Sequence, residues 1–587
     1  MTEADQSAAT PPPEPSAHPP PEPSALPPAQ LSPRALAVGL VVGAVLALGN
    51  LTVGLATGLW DSGQVTASLL AFLLLQPLSR RLRASPLETN AAQTVACAAA
   101  AMPAVLGLLG AVPALEKLGG VTLGPALLVL GVALGVLGLL LALLLYRRMV
   151  VEEALPFPTG VAAAELISAL HGSGAEAARR SRGLIAAGCF ALAVVALRDG
   201  LPWIFPPLLP GALLLPFALA GVPAASLGLG VAVSPLLAGI GVVAGLRTGA
   251  SLALGALLGW GALGQAQLAA GTRTPANLGE WLLWPGVALV LAASAVDLGA
   301  QLPSLARGVR DLGASLGGAG RSRTAVLLAI AAALVALGGA HFALGLGLLP
   351  ALASLFAFVI LGAVVGRAAG QADFAPISQA GQSAQAAAGP LFALDAARDV
   401  AVGALVSGGV AQTSTVLWSL KTGERLSASL REQARAALAG TLFGALVSLP
   451  AYALLEKAQG IGGARFPAPS AAQFRAVAEL VTSGGSLLPP GAAAAAVVAA
   501  VAGALLAALG RTPAGRFLPN AVALGIGFLI PAGASVAVLA GSLLAFAWTA
   551  RDRVGAEEVL PSVGAGLIAG EALLAFAIAA AAVFGPG

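Results

Sequence analysis

The polar residues of one apolar stretch, 85–103 (SPLETNAAQTVACAAAAMP), have the spacing of a single helix face. Asn90, Gln93, Thr94 and Cys97 fall at positions i, i+3, i+4 and i+7. Amide and hydroxyl groups on such a face can hydrogen-bond to neighbouring helices, or they can line a path for water and solute. The spacing supports both interpretations equally.

The same stretch begins with a carboxylate that has two possible uses. Ser85 and Glu88 fit the pattern S-x-x-E, with Pro86 at the first helical position, which predicts a capping box. The alternative is a carboxylate that carries a proton or binds a substrate. Met102 and Pro103 then predict a break in the helix, as is frequent in transporters near their sites.

Further polar groups interrupt other apolar runs. Glu165 follows the turn-like segment 157–160 (FPTG), and Glu571 lies within GLIAGEALLAF. An ionisable side chain inside a membrane span is costly, so a role in proton or substrate handling is the first hypothesis for both, with a hydrogen-bonded structural carboxylate as the alternative. Gln412 belongs to a polar cluster with the two residues that follow it. Lys421 is either part of the path or a cation at a helix C-terminus.

The amino-acid composition indicates the class of protein to which these residues belong. The chain has 587 residues, of which 58% are hydrophobic and 10% are charged, whereas soluble domains carry about 25% charged residues. An all-α, polytopic membrane protein is therefore predicted. The net charge of +4 comes mainly from arginines between apolar runs, which indicates membrane topology and no nucleic-acid partner.

Several functional classes lack their sequence signatures. There is no G-x-x-x-x-G-K-[ST] motif for an ATP-driven pump and no H-E-x-x-H zinc motif. The three histidines are scattered and the two cysteines lie in apolar runs, so no metal site, no cofactor and no enzyme activity are expected. A secondary transporter remains.

Apolar runs of about 20 residues predict about 14–16 spans, some of them broken or re-entrant. The runs cover 34–59, 62–79, 88–112, 121–146, 183–199, 212–245, 248–270, 282–302, 324–345, 347–366, 396–419, 434–456, 487–510, 517–549 and 560–583. The runs 212–245 and 517–549 are each read as a single helix or a helix pair, 155–170 as a re-entrant hairpin or surface helix, and 373–395 is too polar to assign.

The ends and the middle of the chain suggest its organisation. Residues 1–33 are Pro-rich and predict a disordered tail before a transmembrane domain over 34–587. A basic linker with Arg307, Arg310, Arg321 and Arg323 separates halves at about 34–305 and 324–587. The basic loops at 80–83 and 147–148 place the tail in the cytoplasm by the positive-inside rule. Glycines at four-residue spacing, as at Gly241, Gly245 and Gly249, predict close helix packing, with a glycine-lined path as the alternative.

An ordered set of motifs resembles the oligopeptide transporter (OPT) superfamily, and its bacterial members in particular. The set comprises 50–70 (NLTVGLATGLWDSGQVTASLL), 85–103, 150–170 (VVEEALPFPTGVAAAELISAL), 411–433 (AQTSTVLWSLKTGERLSASLREQ), 518–536 (LPNAVALGIGFLIPAGASV) and 566–573 (GLIAGEAL). The resemblance implies proton-coupled uptake of small peptides across the bacterial cytoplasmic membrane, or of metal chelates as in the yellow-stripe-like branch. It also implies that Glu88, Asn90, Gln93, Glu165 and Glu571 lie near the transport path, and that Asn50, Gly54 and Gly58 lie on the first packed helix beside it.

Three functional hypotheses follow from residues and resemblance together. The first is a proton-driven symporter of oligopeptides, and the second is the same scaffold carrying a metal chelate. The third is a channel or membrane sensor, which would not accumulate solute against a gradient. The expected partners are the solute, protons and the lipid bilayer, with the proton gradient as energy source, and a homodimer is allowed for.

Overall fold

The structure is a computed structural model. It describes residues 30–58, 60, 63–76, 84–119, 123–172, 174–201, 204–219, 221–299, 323–372, 375–463, 465–483 and 489–584. Most of the predicted Pro-rich tail, the basic loop at 80–83 and the basic linker between the halves lie outside these residues. The end of the tail is described: the side chain of Gln30 accepts a hydrogen bond of 2.8 Å from the Ser429 amide, and Ser32 caps the first helix.

Helices make up most of the first half. They are α1 Pro33–Thr57, α2 Gln64–Leu75, α3 Pro86–Ala100, α4 Met102–Val105, α5 Ala111–Lys117, α6 Pro125–Tyr146, α7 Pro158–Gly172, α8 Gly174–Asp199, α9 Pro235–Ala256, α10 Gln265–Ala269 and α11 Pro275–Gly299. Two of them continue as π-helical turns, α6 through Arg147–Glu152 and α9 through Leu257–Gly264.

Helices also make up most of the described residues of the second half. Its helices are α12 Arg323–Leu344, α13 Leu348–Ala372, α14 Ile377–Phe392, α15 Ala396–Arg425, α16 Leu430–Gln459, α17 Pro469–Ser483, α18 Ala492–Leu509, α19 Ala521–Leu529, α20 Ala532–Arg551 and α21 Arg553–Phe584. Among the described residues, twelve helices are long and apolar enough to cross a membrane, and shorter helices such as α2 lie between them. The prediction of an all-α, multi-pass integral membrane protein is confirmed.

One predicted helical run is wrong. Residues 212–232 form two short antiparallel sheets, in which β1 Ala212–Leu214 pairs with β4 Gly230–Ala232 and β2 Ala218–Leu219 pairs with β3 Val222–Pro223. Pro216 and Pro223 cannot donate the backbone hydrogen bonds of a helix interior, and Gly221 has φ +86°. High hydropathy alone therefore suggested a helix that the backbone does not form.

Helix breaks occur where proline and glycine predict them. Helix α3 has the predicted capping box between Ser85 and Glu88 and ends at Ala100, just before Met102 and Pro103. The run 517–549 divides at Pro531 into α19 and α20, as the pair interpretation proposed. The unassigned tract contains the 16-residue helix α14.

Helix α15 lies at the centre of the bundle. The apolar window that qualifies it as a span is 100% buried, and α15 packs against α3, α6, α7, α13, α14 and α17. Helices from both sequence halves pack against it, and α3 and α6 from the first half also contact α16 from the second. The halves share one core, which places residues distant in sequence side by side.

Candidate functional site

A cavity with a volume of about 710 Å³ lies between α9, α11, α13, α14 and α17–α19. We call it the cationic cavity, for reasons given below. Its polar wall consists of Arg247, Thr248, Ser378, Gln379, Ser470, Gln473, Arg511 and Asn520. A volume of this size lies within the range of sites that hold small organic ligands.

Three helices begin at the wall of this cavity. Ile377 and Ser378 open α14, Ser470 is the second residue of α17, and Asn520 caps α19. The first amides of a helix and the aligned peptide dipoles give its N-terminus a partial positive charge. Three such ends around one space favour a ligand that carries negative charge.

A break in α9 opens the opposite wall. Gly245 has φ 79° and ψ 170°, a non-helical conformation inside an otherwise helical segment. Such backbone is accessible almost only to glycine. The residues on either side of the break, Ala244 and Arg247, line the cavity. Discontinuous helices of this kind form substrate sites in many transporters.

The charged side chains of the cavity are arginines. Arg247 donates to the carbonyl oxygens of Leu518 and Gly515 at 3.0 and 2.9 Å, and Arg511 donates to that of Val296 at 2.9 Å. Both guanidinium groups are solvent-exposed. No carboxylate occurs among the described residues that line this space. Two arginines that bond to backbone carbonyls thus line this space, and no carboxylate stands beside them among the described lining residues.

Of the residues predicted for the first helix, Gly58 reaches the cationic cavity. It ends α1 with φ 73° and lines the wall near Ser470. Asn50 donates to the carbonyl oxygen of Ala100 at 2.9 Å and lines a separate, mainly apolar pocket of about 140 Å³. Gly54 lies against Leu109, where a Cβ atom would be 2.8 Å from the side chain.

The predicted polar stripe of α3 forms a buried hydrogen-bond network. Asn90 donates to Gln93 at 3.1 Å, and Thr94 donates to Gln433 of α16 at 2.6 Å. Gln93 bonds Gln64 of α2, which accepts a further bond from Ser419 of α15 at 3.1 Å, and Gln433 bonds Asn90. All of these side chains are buried. In this conformation the stripe joins four helices and does not line the cationic cavity.

Two of the predicted carboxylates are neutralised by arginines. Glu88 bonds Arg34 at 2.7 Å and Ser32 at 2.6 Å, in addition to its capping bond with Ser85. Glu571 bonds Arg198 at 2.8 Å and accepts from Ser234 and the Leu236 amide at the start of α9. Both carboxylates are tied to several groups at once.

The other predicted residues lie outside the cationic cavity as well. Glu165 is exposed on α7, contrary to the expectation of a carboxylate at depth, because the buried face of that helix carries Ala163, Ala164, Leu166 and Ile167. Gln412 donates to Thr441 of α16 at 2.7 Å. Lys421 lies one turn before the end of α15 and pairs with Glu424 at 3.1 Å.

Comparison with known protein families shows the family to which this chain belongs. A family model described as "OPT oligopeptide transporter protein" matches residues 30–582, which is most of the chain. The chain belongs to the OPT family. The resemblance inferred from the ordered motifs is confirmed.

Individual OPT relatives match over shorter segments. A Saccharomyces cerevisiae protein named for oligopeptide transport, YGL114W, is 32% identical over 163 residues, which cover 24% of this chain and 22% of that protein. The metal-nicotianamine transporter YSL1 of Arabidopsis thaliana is 29% identical over 186 residues, 31% of this chain and 28% of the relative. YSL3 of the same plant is 30% identical over 174 residues, 29% and 26% of the two chains. The matched segments thus span about a quarter of the length of these curated relatives.

Most of the cavity residues of this OPT chain were absent from the sequence prediction. Arg247 and Arg511 resemble the topological arginines found at span ends, and Gln379 lies in the tract that was too polar to assign. Asn520 caps α19, since its side chain accepts from the Ala523 amide at 3.0 Å. The available signal was positional: Arg247 and Arg511 each stand at the edge of a predicted apolar run.

Proposed function

We propose that this OPT chain is a secondary transporter that moves a small, carboxylate-bearing solute through the cationic cavity by symport with protons across the cytoplasmic membrane. The observation that carries the proposal is the pair Arg247 and Arg511 beside three helix N-termini, without a carboxylate among the described lining residues. Guanidinium groups form strong, charge-assisted hydrogen bonds with carboxylates. A solute with several carboxylates fits this wall better than a cation.

The positive charge of the arginines supports a metal chelate as the solute. A metal chelate built on a polycarboxylate presents oxygens outward and supplies its own metal ligands. The metal-nicotianamine names of YSL1 and YSL3 point in the same direction. We therefore favour a metal chelate as the solute.

A small peptide is the second candidate. The amide side chains of Gln379, Gln473 and Asn520 can pair with peptide groups, and the family description names oligopeptides. The α-amino group of a peptide would, however, find only carbonyl and amide oxygens on the described wall. A peptide with an acidic side chain satisfies the arginines better than a neutral one.

Uptake into proteoliposomes tests this proposal. The probes are radio-labelled iron(III) citrate and labelled trialanine, each measured with and without an inward proton gradient. Gradient-dependent accumulation of iron citrate that an uncoupler abolishes supports a chelate symporter, whereas accumulation of trialanine alone assigns the peptide class. Equal uptake with and without the gradient, or uptake that only equilibrates, contradicts symport and favours a channel.

Two substitutions test whether the transported solute binds in the cationic cavity. Arg511→Gln and Arg247→Lys should each raise the KM of the accumulated probe about tenfold or more, which corresponds to about 1.4 kcal/mol of lost binding. Arg553→Gln is the matched control, because Arg553 is exposed and pairs with Glu557 on the surface at 2.8 Å. Unchanged KM values in both cavity variants would place the solute elsewhere.

A further inference from the structure

Three carboxylates are at least nine-tenths buried among the described residues: Glu88, Asp399 and Glu571. Glu88 and Glu571 each have an arginine partner. Asp399 has none. Its Oδ2 atom accepts one hydrogen bond of 3.3 Å from Gln385, and its Oδ1 atom has no hydrogen-bond partner although it is fully buried. Asp399 is thus the one buried carboxylate of the described chain without a cation.

The surroundings of Asp399 contain no compensating charge. Helix α14, which packs on it, has no charged residue, and α17 contributes only Arg475 and Glu479, which pair with each other at 3.1 Å. The nearest charged groups on α15, Asp395 and Arg398, pair with each other at 3.3 Å and are exposed. Other charged groups on packed helices interact with groups other than Asp399. Arg367 of α13 pairs with Glu153, Glu116 of α5 accepts from Tyr452, and Lys421 pairs with Glu424. The charge of Lys117, also on α5, interacts with Glu280 and Arg475.

Burial without a cation favours the neutral form of a carboxyl group. A charged carboxylate in this position would lose its hydration and gain one amide hydrogen bond in return. That exchange is unfavourable inside a membrane protein. A protonated carboxyl group is therefore the form that fits these surroundings best.

A ladder of amides leads from the cationic cavity towards Asp399. Gln379, Gln382 and Gln385 follow one another at three-residue spacing along α14, and Gln379 lines the cavity. Gln382 bonds Gln473, another cavity residue, at 3.2 Å, and Gln385 also bonds the Phe474 carbonyl at 3.2 Å. The Oε1 atoms of Gln382 and Gln385 are buried and have no partner. Such unpaired acceptors can bind water molecules.

A second cavity of about 240 Å³ accompanies this ladder. Gln379, Gln382 and Ser383 line it on one side and Val481 of α17 on the other. Val481 and Asp399 both approach Gly389, with Val481 Cγ1 2.4 Å and Asp399 Oδ1 2.9 Å from the position a Cβ atom would take there. A single layer of side chains therefore separates Asp399 from a space large enough for several water molecules.

From this geometry we infer that Asp399 is the proton-carrying residue of the transporter, loaded and released through the amide ladder of α14. The inference rests on the proposed proton symport. Asp399 alternates between a protonated, buried form and a deprotonated form that exists when its surroundings open to water. Asp399 binds the proton and does not contact the solute. Replacing its carboxyl group therefore uncouples transport from the proton gradient without abolishing solute binding.

Asp399→Asn tests the assignment, because asparagine copies the shape of the neutral acid. The variant is expected to fold with an unfolding temperature close to that of the wild type and to exchange the accumulated probe across the membrane. It should lose at least nine-tenths of gradient-driven accumulation. The matched control is Asp395→Asn on the same helix, where asparagine caps as well as aspartate does.

An infrared measurement provides a readout independent of solute. The wild type should show a carboxylic-acid C=O band at neutral pH that is absent in Asp399→Asn, and Gln385→Leu should shift that band by removing its hydrogen-bond donor. Full gradient-driven accumulation in Asp399→Asn overturns the inference, and so does the absence of the band from the wild type. Loss of both exchange and accumulation in a folded variant overturns it as well. A wild type that does not respond to the proton gradient instead contradicts the proposed symport.

Discussion

The Nη1 atom of Arg198 lies 2.8 Å from the Oε1 atom of Glu571, and both side chains are buried between α8 and α21. Oε2 of the same carboxylate accepts hydrogen bonds from Ser234 at 2.9 Å and from the Leu236 amide at 2.8 Å, at the start of α9. Arg198 in turn bonds Asp199, which bonds Arg465. This charge cluster joins three helices and a loop.

Glu571→Gln should therefore act on stability. The substitution removes one of the two carboxylates that pair with Arg198 and leaves the guanidinium group with Asp199. We expect the free energy of unfolding to fall by about 2 kcal/mol, as for the loss of a buried hydrogen bond to a charged group. Thermal unfolding in detergent measures the change. Glu557→Gln, in an exposed pair with Arg553, is the control and should leave the unfolding temperature unchanged. An unchanged unfolding temperature together with lost proton coupling would instead assign Glu571 to proton transfer.

The amide network of α3 allows a second test. Gln93→Leu leaves the Asn90 amide without its 3.1 Å acceptor and removes a bond to Gln64. We expect the free energy of unfolding to fall by about 1–3 kcal/mol, because a buried polar group becomes unsatisfied. The KM for solute should stay the same. Gln76→Leu, at the exposed end of α2, is the matched control. A raised KM at constant stability would show that the stripe belongs to the path.

Close helix packing predicts a strong effect at Gly241. A Cβ atom there would lie 2.0 Å from the Val538 carbonyl oxygen of α20, so Gly241→Ala must separate α9 from α20. The expected cost is about 1–3 kcal/mol, as for other overpacked interiors. Gly338→Ala on α12 is the control, because nothing lies within 4 Å of a Cβ atom there. Yields of monodisperse protein on size exclusion compare the two variants, and equal yields would refute the packing role.

Gly245 tests the break in α9 separately from packing. A Cβ atom there meets no atom within 4 Å, but the backbone has φ 79° and ψ 170°. Gly245→Ala should therefore cost about 1–3 kcal/mol through backbone strain alone. Relief of this strain would move Arg247, two residues further on, and raise the KM for the accumulated probe. The initial rate of uptake across a solute concentration series measures this, with Gly338→Ala again as control. A variant with wild-type KM would mean that the break does not shape the cavity.

The sequence by itself determined the class, the family and much of the local structure. Long apolar runs with few charges favour a bilayer, so composition was enough to predict a multi-pass membrane protein. The S-x-x-E pattern at Ser85 predicted its capping box, and Pro531 predicted the break between α19 and α20, because capping and proline effects act within one helical turn. Hydropathy failed at residues 212–232, where proline and glycine, and not apolar character, decide the backbone.

Only the tertiary structure decided which polar groups meet. The spacing of Asn90 and Gln93 predicts that they share one helix face. Their hydrogen-bond partners, Gln433 and Gln64, come from other helices. Because these side chains are buried together, the polar stripe forms a hydrogen-bond network. Glu571 and Asp399 are both buried acids, yet one faces Arg198 and the other faces an amide. The charge that a buried carboxylate can hold depends on cations hundreds of residues away in the chain. The local sequence does not reveal this dependence, because the electrostatic field at a carboxylate depends on its distance in space from other charges.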